Sequence, residues 1–253
     1  MRPNCLRDMT PYYYDLHIHS CLSPCADDDM TPNNIAGMAA LKGLQILALT
    51  DHNSCKNCPA FFSACKRQGI IPVAGMELST AEDVHLVCLF ENIEDAMRFD
   101  VEIEKHLMSV DNRPEIFGNQ LVLDGDDDII GEESKLLISA TDLWMGDAVE
   151  LAKSFGAHVH PAHVDRESNG IISVLGDIPT DYGFGCFELN DAASLEKING
   201  EYPISKTMKH VVSSDAHHLW DISEADNSVM LDDEPYSSAL VRKRLFEYLD
   251  GQN

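Results

Sequence analysis

A chain of 253 residues with 44% hydrophobic content can bury a full core, and this length fits one α/β barrel or two small domains, of which a single domain over residues 1–253 is expected. No apolar stretch is long enough to span a bilayer, and Met1 to Tyr14 lacks the basic end and apolar middle of a signal peptide, so a cytoplasmic location, no membrane partner and eight reduced cysteines are expected. The formal net charge of -25, from 43 acidic against 18 basic residues, argues against duplex nucleic acid, while a small phosphorylated substrate stays compatible because bound cations would invert the local sign.

In chain order, short apolar runs predict seven strands: Tyr14 to Ile18, Ile46 to Thr50, Ile70 to Met76, Val84 to Phe90, Ala157 to His160, Cys186 to Leu189 and Val211 to Ser213. Helices alternate with several of them. Thr31 as N-cap with Pro32 at the first helical position opens Asn33 to Leu41, Glu94 to Val110 is amphipathic, Thr141 opens Leu143 to Phe155, and Ser238 to Leu249 closes the chain. This alternation implies a mainly parallel sheet, either a barrel or doubly wound. Residues 112–139 break it with a small β-hairpin insertion, Gln120 onward and Leu136 onward about Asp124-Gly125, which reads equally as a flap over a site mouth or as surface decoration. Asp124 to Asp128 and Glu132-Glu133 read as a solvated loop.

The first run ends in His17 and His19, and residues two apart on a strand face the same side, so two imidazoles can meet one ion. Other runs end similarly. His52 closes the second, Glu77 the third, His163 follows the fifth, and Asp215 and His217 follow the seventh, whereas His85 opens its strand. Active sites of parallel α/β folds form at the carboxyl ends of strands, where distant segments converge. Imidazoles mixed with carboxylates suit zinc, iron or manganese, and the number of donors exceeds the need of one ion. Two or more metals follow, with Glu77 able to bridge a pair, and such a pair is a common device for phosphate-ester hydrolysis.

D-L-H-I-H-S at Asp15 to Ser20, T-D-H at Thr50 to His52, G-M-E at Gly75 to Glu77, H-L-V at His85 to Val87, A-H at Ala162-His163 and S-D-A-H at Ser214 to His217 resemble the polymerase and histidinol phosphatase (PHP) family, in order from Asp15 to about Ile222. The resemblance implies an α/β fold, a distorted seven-stranded (β/α)7 barrel of TIM-barrel type. It also implies two or three divalent ions, of zinc, iron or manganese, that hydrolyse a small phosphate ester or nucleotide through a metal-bridging hydroxide. By motif, His17, His19, Glu77 and Asp215 would hold one ion and Glu77 would bridge to a second on His85 and His163. Glu77 and Asp215 would be the bridging, activating carboxylates. His52 and His217 would hold a third with an acidic residue of the first loop, where the family's S-D-G is replaced; counting back from Thr31-Pro32 selects Asp27, with Asp29 open. His160 competes with His163, and counting from Gly156-Ala157 favours His163. Histidinol-phosphatase or amidohydrolase chemistry on the same cluster, or a non-catalytic metal-binding module, are the rival readings.

On the substrate side Arg166, three residues past His163, either donates to phosphate or pairs with Asp165 or Glu167. Cys21, Cys25, Cys55 and Cys58 either gather as a thiolate site near the metal rim or pack as small thiols. His158 and His160 read as barrel-lining, and His106, His210 and His218 as structural or surface residues. The sequence leaves the oligomeric state open.

Overall fold

The computed structural model describes residues 9–251, so the reading of the first residues falls partly outside the described span. Within it, β1 (Thr10–Asp15), α1 (Pro32–Lys42), β2 (Ile46–Leu49), α2 (Cys58–Gln68) and β3 (Ile71–Ser79) build two consecutive βαβ units with β1, β2 and β3 parallel. β4 (His85–Phe90) returns antiparallel to β3, α3 (Ile93–Ile103) packs on both, and α4 (Pro114–Phe117) leads into the hairpin β5 (Leu121–Leu123) and β6 (Ile129–Glu132). The second half supplies α5 (Met145–Ser154), β7 (His158–Pro161), α6 (Ile171–Leu175), β8 (Cys186–Leu189), α7 (Leu195–Glu201), β9 (Lys209–Val212), β10 (Ser228–Leu231) and α8 (Ser238–Leu249).

Six strands form one curled sheet in the order β10-β1-β2-β3-β4-β7, and β8 pairs with β9 in a separate parallel sheet. The fold is therefore mixed α/β, and the expected mainly parallel, seven-stranded closed barrel is not what the hydrogen bonds draw. Two features account for the difference. β4 is antiparallel to both of its neighbours, and β10 adds an antiparallel edge to β1 that the short, half-exposed run Ser228–Leu231 did not announce. The direction of β4 also explains His85: the start of an antiparallel strand lies at the same end of the sheet as the carboxyl ends of its parallel neighbours.

Local signals set the helices. Thr31 caps α1 by accepting from Asn34 N–H, Pro32 follows it, and Gly43 ends the helix in the left-handed region at φ 79°. The expected N-cap of α5, Thr141, instead donates its hydroxyl to Ser79 O at 2.8 Å, and Trp144 stands at the cap. The hairpin is tied down: Asn57 brackets Leu121 and Leu123, and Asp127 accepts from Thr31 Oγ1 and Asn33 N–H. Its acidic turn thus does more than solvate a loop. Among the described residues no helix is long and apolar enough to cross a membrane.

Two apolar layers sandwich the sheet. Leu47, Leu49, Ala74, Met76, Leu86 and Phe90 face the helices, while Ile46, Ala48, Ile71, Val73, Val87 and Leu89 face the inside, where Val241, Leu245 and Leu249 of α8 close one end. Inward positions alternate along β3 as Ile71, Val73, Gly75 and Glu77, so the interior passes from apolar to charged within one strand. At Gly75 the neighbouring strands leave no room for a side chain. A Cβ there would lie 2.8 Å from Thr50 Cγ2, 2.9 Å from Leu89 Cδ2 and 3.1 Å from Cys88 O. Gly75→Ala is expected to lower stability by about 1–3 kcal/mol through overpacking, measured from urea unfolding; an unchanged midpoint would show that the interior gives way freely.

Candidate metal centre

The site is assembled just past the strand ends, by backbone bonds that continue the ladders. Ile18 bridges Ala216, His52 bridges Glu77, Asn53 N–H donates to Glu77 O, and Val164 N–H donates to Glu188 O. Three non-glycine residues there have positive φ: Asn53 at 48°, His163 at 27° and Asp215 at 52°. Such backbone is disfavoured for residues with a Cβ, and its clustering at one end of the sheet marks a place where side-chain position outweighs local strain.

Glu77, 1% exposed, is the hub. Five imidazoles reach its carboxylate: His85 Nδ1 at 2.8 Å, His52 Nδ1 at 2.9 Å, His163 Nε2 at 3.0 Å, His19 Nε2 at 3.3 Å and His17 Nε2 at 3.4 Å. Asp215 Oδ1 lies 3.0 Å from His19 Nε2 and 3.4 Å from His17 Nε2. Around Glu77 and Asp215, three sets of donor atoms lie close enough to share an ion: His17, His19, Glu77 and Asp215; His52, Glu77 and His85; and His19, His52 and His217. His163 touches Glu77 beside them. Asp27 is in none of these sets, since its half-exposed side chain accepts from Asp29 N–H and faces His218 at 3.6 Å. His160 lies lower in the interior, beside His158.

The hydrogen bonding fits metal donors better than a self-contained network. His52 Nδ1, Glu77 Oε2, His163 Nδ1 and Asp215 Oδ1 are buried and make no hydrogen bond, although His52 Nδ1 and Glu77 Oε2 are only 2.9 Å apart. Buried polar atoms without a partner are costly, and an ion held by these donors would satisfy them. His17 Nε2 and His19 Nε2 also face each other at 3.2 Å. Their other nitrogens are held: His17 Nδ1 by Glu188 Oε1 at 2.8 Å and His19 Nδ1 by Ser23 Oγ at 2.9 Å, with Ser23 donating to Asp51. These supports orient the rings and leave Nε2 free.

Electrostatics agree. Burial opposes ionisation of Glu77, but His85, His17 and His52 around it hold its carboxyl well below the usual range. Burial likewise opposes charge on His17, yet Glu188, Glu77 and Asp215 keep it well above an ordinary histidine, and His19 is raised to about 9 against burial by Asp215 and Glu77. Burial wins at His52, lowered to about 4, and at His217, lowered to about 3 with His19 adding to the effect.

A cleft of about 220 Å³ opens over this group, lined by His52, Glu77, His85, His163, Asp215 and His217 with Cys25, Ile138, Arg166, Ser168 and Asn169. Ile138, from the inserted segment, stands at its edge. Arg166 donates from Nη1 to Asp215 Oδ2 and from Nε and Nη2 to Asn190 Oδ1 at 3.3 and 3.2 Å, so neither Asp165 nor Glu167 is its partner. Cys21, Cys55 and Cys58 are buried, with Cys55 Sγ on Gly75 O at 3.2 Å, and none joins a set of donors able to share an ion. Glu188 escaped the sequence reading, and Asp51, read there only as part of the T-D-H motif, braces Ser20 and Ser23. For Glu188 the signal was a carboxylate inside the apolar run Cys186 to Leu189, because glutamate is rarely fully buried unless paired.

The family model of the PHP domain matches residues 15–139. A 5'-3' exoribonuclease of Haemophilus influenzae is 32% identical over 98 residues, which are 37% of this chain and 35% of that protein. The lesion-specific endonuclease PfuEndoQ of Pyrococcus furiosus aligns with TM-score 0.68 at 16% identity over 96% of this chain and 57% of its own, and endonuclease Q bound to a 27-mer duplex with an abasic lesion aligns with TM-score 0.59 at 17% identity over 83% and 50%. A metal-dependent phosphoesterase of Bifidobacterium adolescentis aligns with TM-score 0.56 at 15% identity over 92% and 95%. The chain thus spans about a third of the exoribonuclease and about half of the endonuclease Q chains. The exclusion of duplex nucleic acid drawn from net charge is overturned, since a protein of this fold holds a duplex at its active site. Net charge sums a whole surface, whereas binding is decided by the charges at the site. With the ordered motifs and the matched segment together, residues 15–139 of this chain are identified as a PHP domain.

Proposed function

We propose that the protein is a metal-dependent hydrolase of phosphoester bonds, working with two or three divalent ions of zinc, iron or manganese on His17, His19, His52, Glu77, His85, His163, Asp215 and His217. The observation that carries this reading is the convergence of five imidazoles on one buried carboxylate whose second oxygen has no hydrogen bond. When bound, such ions supply Lewis acidity and lower the pKa of water. The chain does the rest. Glu188 and Ser23 fix the tautomers of His17 and His19, Glu77 ties the donor sets together, and Arg166 is the cation of the cleft, set to turn its guanidinium from Asp215 to a phosphoryl oxygen. The nuclease names among the relatives favour a nucleotide or nucleic-acid phosphodiester as the substrate.

Protein purified without chelator is expected to cleave a phosphodiester panel of bis(p-nitrophenyl) phosphate, single-stranded and duplex oligonucleotides. Chelation should abolish cleavage and manganese or zinc restore it; hydrolysis that survives full metal removal refutes the proposal. Glu77→Gln should lose at least about 100-fold in kcat together with bound metal, because even residues that only support a ligand cost about 10–100-fold.

Glu188→Gln keeps the size of the side chain but weakens the bond that orients His17, so metal affinity should fall by about 10–100-fold in a competitive titration, with no loss of fold by circular dichroism. Equal affinity would reduce Glu188 to packing.

Arg166→Ala should lower kcat/KM by about 1.5–3 kcal/mol, the range for a charged hydrogen bond, with metal content unchanged and Lys restoring only part. Normal hydrolysis by the Ala variant would leave Arg166 only as the ion-pair partner of Asp215.

A further inference from the structure

β7 is the free edge of the six-stranded sheet and β8 belongs to the two-stranded one, so the two strands lie side by side without a shared hydrogen-bond ladder. Past the end of β7 one backbone bond, Val164 N–H to Glu188 O at 2.9 Å, and one from His163 N–H to Glu188 Oε1 at 3.2 Å join the two segments near the Glu77 cluster. A second group of chemically active side chains spans the same seam one layer deeper. His158 and His160, two residues apart on β7, and Cys186 on β8 bring one nitrogen each and Sγ within 4.8 Å of one another, and all three are buried.

Their hydrogen bonding leaves donors to spare. Both ring nitrogens of His160 and Nε2 of His158 are buried without a partner, at a typical cost of about 1–3 kcal/mol each. His158 Nδ1 is occupied, 2.6 Å from Asp250 Oδ1, which fixes the ring and leaves Nε2 as its unpartnered nitrogen. A carboxylate behind a histidine whose other nitrogen is free is the usual support of a metal-ligating imidazole. Cys186 Sγ has only a long contact to Phe187 O at 3.6 Å. A cavity of about 240 Å³ lined by Lys153, His158, Gly183, Gly185 and Asp250 reaches His158 beside the end of α8.

We propose that His158, His160 and Cys186 bind a divalent transition-metal ion, zinc by ligand chemistry, which clips β7 to β8 where the ladder is missing. Two imidazoles and a thiolate select zinc over magnesium or calcium, with a fourth position open to water. Binding releases the thiol proton to solvent. The site shares no residue with the Glu77 centre, whose donors are nitrogen and oxygen only.

That difference gives the test. Cobalt(II) loaded into the full chain to saturation should show a thiolate-to-cobalt charge-transfer band in the near ultraviolet, with the intensity of one thiolate-bound ion per chain. Cys25→Ser, at the cleft, should keep the band, Cys186→Ser should lose it, and Asp250→Asn, at the exposed end of α8, should keep it with affinity about 10–100-fold weaker. The site is overturned if the wild type shows no band, if Cys25→Ser removes it or if Cys186→Ser retains it. Should Cys186→Ser fail to fold, the decision rests on the other proteins, and an Asp250→Asn affinity equal to wild type overturns the proposal.

Discussion

A carboxylate buried as deeply as Glu77 cannot stay charged without compensation, because desolvation costs several kcal/mol per ion even after relaxation. The fold answers with imidazoles from four separate segments: His17 and His19 after β1, His52 after β2, His85 at the start of β4 and His163 after β7. Every strand that supplies one must therefore end, or begin, at the same level. This requirement explains the antiparallel β4, the backbone bridges that prolong β1 and β2 past their last ladder residues, and the positive φ of His163 and Asp215. Imidazoles that compensate a carboxylate in the metal-free chain are the same groups that would exchange protons for metal, so affinity for metal must fall as pH falls.

Much of this was legible because the imidazoles and carboxylates of the cluster sit where apolar runs stop. β8 was read with its observed bounds, and His17, His19, His52, Glu77, Asp215 and His217 were grouped from strand-end position alone. What escaped has a physical pattern too. β10 alternates exposed and buried over four residues in an acidic stretch, too short for periodicity to register, and α2 begins at Cys58, where the spacing to Cys55 drew attention to thiol chemistry instead of to Pro59 at the helix start. Asp27 was chosen by counting along the chain, and counting does not say which way a loop carboxylate turns; it turns back to Asp29 N–H.

The charge argument failed for a different reason. Acidic residues were counted as one field, but several are spent internally: Asp15 on Ser214 and Ser223, Asp51 on Ser20 and Ser23, Asp100 on Ser54 and Cys55, and Asp165 on Asn190 and Asp191. These carboxylates brace loops around the centre and present little to a ligand. The cleft itself is lined by Arg166 and four imidazoles beside the carboxylates of Glu77 and Asp215.

One strand face shows how closely these functions are coupled. Residues two apart on a strand share a side, and on β8 that column reads Cys186, Glu188 and, just past its end, Asn190. Cys186 meets His158 and His160, Glu188 holds His17, and Asn190 accepts from Arg166 while donating to Ser213 O and Ser214 O. A slip of one residue in the pairing of β8 with β9 would turn all three outward at once. The parallel register Glu188 to Val211 is thus what carries order from the deep interior to the ligand sphere and on to the mouth of the cleft, and it places a glutamate in a strand whose neighbours Phe187 and Leu189 are pure core.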